Sequence, residues 1–121
     1  MSRDKWAALA RIADAKFQKQ AQSMEALSAE MSALSDRRSA LDDMNKSAQN
    51  AFRDVHPLHY HSGDVQWQAW VGKNLRQMNI EAAHLHARRE SLLPALRKAF
   101  GQKLACEELA KNAKRKASRS G

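Results

Sequence analysis

Residues 54–67 read DVHPLHYHSGDVQW. Pro57, Gly63 and three histidines stand there together, between two long stretches rich in Ala, Leu, Met, Lys, Arg, Gln and Glu. Those are the residues that lose least on entering a helix. Pro57 disfavours helical geometry at His56, Gly63 permits a left-handed turn, and the Asp64 carboxylate can cap a following helix. The stretch therefore reads as a reversal, with a first arm about 4–55, a turn about 56–63 and a second arm about 64–117. The fold expected is all-α: a single elongated domain over 1–121, built as a two-helix antiparallel coiled-coil hairpin.

The first arm carries an unbroken alternation of three- and four-residue steps from Trp6 through Ala10, Ala13 and Phe17 to Phe52 and Val55. Only Gln20, Arg38 and Asn45 interrupt its apolar character. An apolar repeat every 3.5 residues predicts one seam facing a partner helix. The second arm supplies that partner through Trp67, Val71, Met78, Ala82, Leu85, Leu92, Leu96, Ala99 and Cys106. Gly72 and Gly101 each cost a helix interior about 1 kcal/mol relative to Ala. Pro94 removes a backbone donor and crowds the preceding turn, at about 3 kcal/mol. A kink or break of the second helix is expected near it, and with a break, three helices in place of two.

Folding the chain about its middle pairs positions whose numbers add to about 119. Arg38 then falls opposite Glu81, and Asn45 opposite Asn74. These four polar seam residues are expected to set the register, because a slipped pairing leaves a buried amide or charge unmatched. The competing reading of Arg38 is that it simply reaches to water.

With 121 residues the chain is the size of one domain, and its single cysteine, Cys106, allows no internal disulfide. No segment resembles a secretion signal or a membrane span, so a cytoplasmic location without membrane insertion is expected. The net charge is +8, and residues 61–121 hold twelve basic against five acidic side chains. Such a surplus fits nucleic acid, an anionic membrane or an acidic protein surface. His56, His59 and His61 could ligate zinc or copper, but no cysteine or second cluster supports them, and a solvated turn is the reading taken. No nucleophile–base set or phosphate loop appears, so neither catalytic nor cofactor-binding residues are assigned and an enzyme is not expected. Trp67 and Trp70 cannot both enter a narrow seam: they either pack together at the open end or offer a docking spot. Leu9, Ile12, Leu93 and Leu104 also lie off the seam and suggest further partners.

The stretches RIADAKFQKQAQSMEALSAEM (11–31) and ARRESLLPALRKAFGQKLACEELAKNAKRK (87–116) resemble the FliJ/YscO family, the stalk proteins of flagellar and type III secretion export ATPases. The resemblance covers most of the chain. It implies a non-enzymatic stalk whose paired termini enter a hexameric export ATPase, while other surfaces meet the export gate or export chaperones. On this sequence the ring-facing residues would be Arg3, Lys5, Trp6, Lys111, Lys114, Arg115 and Lys116. Trp67 and Trp70 would belong to the gate- or chaperone-facing surface. The alternative is a small basic coiled coil that binds nucleic acid non-specifically, with a strong dependence on salt.

Overall fold

A computed structural model describes the backbone of residues 3–54 and 57–120 and the side chains of 3–54 and 63–119. Two helices, α1 (Arg3–Arg53) and α2 (Pro57–Ser120), pack against each other as an all-α helical hairpin. No strand occurs among the described residues.

The second helix begins earlier than the sequence suggests. At the end of α1 the Asp54 N–H donates to the Ala51 carbonyl at 3.2 Å, a three-residue reach that tightens the exit. Pro57 then opens α2 from its first position, where its missing N–H is no loss and its fixed φ suits a helix. Residues 57–63, expected in the turn, are helical. Gly63 makes no left-handed turn, since no glycine among the described residues has a positive φ. It provides room: a Cβ there would lie 2.9 Å from the Phe52 ring. Asp64 sits inside α2 and caps nothing.

Pro94 lies within α2, which continues through it, so there are two helices and not three. Pro94 and Glu90 are both exposed. Pro94 leaves the Glu90 carbonyl without its usual helical donor, on a stretch of α2 that is open to water.

The chain divides into two compact units, a terminal unit of Met1–Leu27 with Arg88–Gly121 and a turn unit of Ser28–Ala87. In the turn unit Leu34, Leu41, Val71 and Met78 form the buried cluster, with Trp67, Leu75, Ala82 and Leu85 packed on it. In the terminal unit Ala13, Leu27 and Ala99 are buried. There the Phe17 and Phe100 rings meet at 5.3 Å, tilted by 49°. Lys103 stands 5.2 Å from the Phe17 ring centre and bonds Asp14 and Glu107, each at 3.7 Å.

The buried positions of α1 (13, 27, 34, 41) and of α2 (71, 78, 99) are separated by multiples of seven, the spacing of coiled-coil packing. One line of each helix is thus the core. The second seam line of α1, through Phe17, Met24, Met31, Asn45 and Phe52, is half-buried, and Arg38 on it is exposed. No polar or charged residue is buried among those described.

Candidate interaction surfaces

The terminal unit gathers fifteen basic and six acidic residues, and the turn unit six basic and seven acidic. The whole positive surplus therefore lies in the unit that holds both chain ends. Within it Arg3, Lys111 and Lys114 line an open groove of about 420 Å³, floored by Ala7, Ala10 and Ala110 with Glu107 at its edge. Small side chains on both helices keep this floor low, so a partner can approach the backbone closely while three cations meet it. Lys5 and Trp6 belong to the same unit without lining the groove. Arg115 reaches Glu108 at 3.8 Å, both side chains 63% exposed, an ion pair that solvent screens to little consequence. Lys116 is exposed and partnered.

In the turn unit Trp67 and Trp70 stack, with ring centres 5.0 Å apart and planes at 30°. The two rings thus pack together, with the outer one still open to a partner. The Trp67 indole N–H donates to Asn45 Oδ1 at 2.8 Å, which anchors the inner ring to α1. Trp70 remains 45% exposed. Met44, 50% exposed, lies on the same flank of the unit. The bond between Arg37 and Glu81 at 3.0 Å marks that flank. Met44 is two turns along α1 from Arg37, and Trp70 is three turns along α2 from Glu81.

The polar residues of the seam do not pair as the sequence suggests. Asn45 accepts from Trp67 and, at 3.3 Å, from Gln68, and it does not meet Asn74. Asn74 donates to the Trp70 carbonyl one turn back on its own helix, at 2.9 Å. Arg38 donates to Asn79 Oδ1 at 3.0 Å, while Glu81 takes Arg37. In the terminal unit, Asp14 with Lys103 and Phe17 with Phe100 pair numbers that add to 117, not 119. Apolar periodicity places a seam to within a turn, and the finer choice between neighbouring polar partners is made by side-chain reach.

Two features escape the sequence reading. One is the cation–aromatic cluster of Phe17, Phe100 and Lys103. The other is a second open groove in the terminal unit, of about 360 Å³, where Lys16, Lys19 and Lys98 converge. The three-residue spacing of Lys16 and Lys19 is visible in the sequence, but Lys98 joins them only through the pairing of the helices.

His56 and the side chains of His59 and His61 lie outside the described residues. Among the described residues no group of three potential metal ligands occurs, and no helix is long and apolar enough to cross a membrane. Ile12 and Leu104 are 54% and 48% exposed, whereas Leu9 and Leu93 are half-buried. No family model, curated protein or solved structure matches the chain.

Proposed function

We propose that the chain is a non-enzymatic stalk or adaptor of a bacterial flagellar or type III protein-export ATPase complex, with a role similar to that of the FliJ/YscO proteins. The observation that carries this reading is the segregation of charge: the unit containing both chain ends holds the entire positive surplus. On this reading the end lined by Arg3, Lys111 and Lys114 enters the pore of a hexameric export ATPase. The stacked Trp67 and Trp70 meet an export-gate protein or an export chaperone. A two-helix insert has no sixfold symmetry, so it contacts the subunits of a ring unequally. Binding the assembled ring better than free subunits promotes assembly and biases turnover.

The test is the ATPase rate of a purified export ATPase with and without this chain. Stimulation is expected, and the triple substitution K111E, K114E and R115E should abolish it. An unchanged rate sinks the reading. A gel shift with duplex DNA that weakens steeply between 50 and 200 mM salt, as phosphate contacts require, would favour the nucleic-acid alternative instead.

A further inference from the structure

We infer that the flank of the terminal unit bearing Lys16, Lys19 and Lys98 is a docking site for an acidic amphipathic helix of a partner protein. The site does not depend on the proposed function, because it lies on the other side of the hairpin from the groove of Arg3, Lys111 and Lys114. Asp14 follows Ala7 and Ala10 by seven and four residues and so shares their face, which the Asp14–Lys103 bond marks. Lys16 is two residues further, about 200° round the helix.

Three observations converge on this flank. The first is uncompensated charge. Lys16, Lys19 and Lys98 are exposed, line one groove and make no ion pair among the described residues, whereas Lys103 on the opposite flank holds two carboxylates. Three like charges around one opening repel each other, and an anionic occupant removes that repulsion. The second is shape. Ala95 and Ala99 supply part of the groove wall from α2, so the cations stand above a floor low enough for a helix to settle between them. The third is apolar surface in line with the charge. Ile12, 54% exposed, precedes Lys16 by four residues and Lys19 by seven, which places all three on one face of α1. Leu109, 41% exposed, stands two turns beyond the groove residue Gln102 on the same face of α2.

The resulting strip sets apolar surface beside the three lysines, with Lys5 one further heptad before Ile12 and Lys116 one further heptad beyond Leu109. Phosphates would satisfy the lysines but leave Ile12 and Leu109 uncovered. No aromatic ring lines this groove, so a nucleic-acid base finds no stacking platform. A helix with glutamates on the turns facing the lysines and leucines one or two turns further on satisfies both. Lysine heads on flexible stems tolerate several such sequences, and the apolar contacts select those that also carry leucine.

The test uses the full-length chain and a fluorescein-labelled synthetic helix of about 20 residues, long enough for a stable helix on binding, with leucine and glutamate at heptad spacing. The expected result is saturable binding by anisotropy. The triple variant K16E, K19E and K98E should weaken it by about tenfold or more, and I12S with L109S by a comparable factor. K111E with K114E should leave it unchanged, which separates this site from the one used in the proposed function. Circular dichroism of each variant checks that helix content is retained, and K16Q, K19Q and K98Q repeat the test without added acidic groups. No binding of the peptide overturns the inference, as does binding indifferent to the lysine and apolar variants. It also fails if a 20-nucleotide single-stranded DNA or phosphatidylglycerol vesicles depend on the three lysines and outcompete the peptide.

Discussion

Gly63 and Gly101 are the same residue in the same helix, and they should respond oppositely to alanine. At Gly101 a Cβ meets nothing within 4 Å, so G101A should stabilise the chain by about 1 kcal/mol through helix propensity. At Gly63 the added Cβ would stand 2.9 Å from the Phe52 ring, and the ring must move off its contact. G63A should therefore destabilise by about 1 kcal/mol, overpacking outweighing propensity. Urea denaturation of both variants measures the contrast, and equal gains at the two sites would remove the close-approach role given to Gly63. Asn45 is the other residue whose role is local. N45L leaves the part-buried Trp67 N–H without its acceptor and should cost about 1–2 kcal/mol, with increased solvent quenching of tryptophan fluorescence. Neither role is legible in the sequence, where Gly63 resembles a turn residue and Asn45 has its counterpart in Asn74. A turn glycine and a glycine making space for a ring look alike until the opposing helix is in place.

The helices themselves are the most legible part. The spacing of Ala13, Leu27, Leu34 and Leu41 by seven or fourteen residues is present in the sequence and becomes the buried line of α1. The second line carries two of the three polar interruptions, Arg38 and Asn45, and it is only half-buried, because a pair of helices can enclose one row from each and cover its neighbour from one side. Leu27, fully buried, should accordingly be the most sensitive position of α1, with L27A costing about 2–5 kcal/mol in denaturant unfolding, against under about 1 kcal/mol for M24A. Pro94 shows where local propensity is overridden. The helix runs on through it, with Leu92, Leu93, Ala95 and Leu96 half-buried and Ala99 buried on either side. P94A should restore the missing hydrogen bond and stabilise by about 1–3 kcal/mol without altering helix content by circular dichroism. A loss of stability would mean that the interruption itself is required for packing.

At the scale of the whole molecule, the sequence shows a basic second half and, once folded back, a basic pair of ends, but not where the basic unit gives way to the rest. Folding the chain back adds Arg3, Lys5, Arg11, Lys16 and Lys19 to the second arm's cations, while the acidic residues of 28–87 fall in the other unit. Both candidate basic surfaces exist only because of that fold: each takes residues from the two helices. The pairing of the helices is thus the premise of every functional statement made of this chain. Its direct test is pulsed electron paramagnetic resonance on a C106S background, with spin labels at positions 37 and 81 of the turn unit and, separately, at 14 and 103 of the terminal unit. Helices packed about 8–10 Å apart should hold each pair of labels within about 20 Å in a narrow distribution. A separation near 66 Å between positions 37 and 81, the length of 44 residues of uninterrupted helix at about 1.5 Å each, would contradict the hairpin and everything built on it.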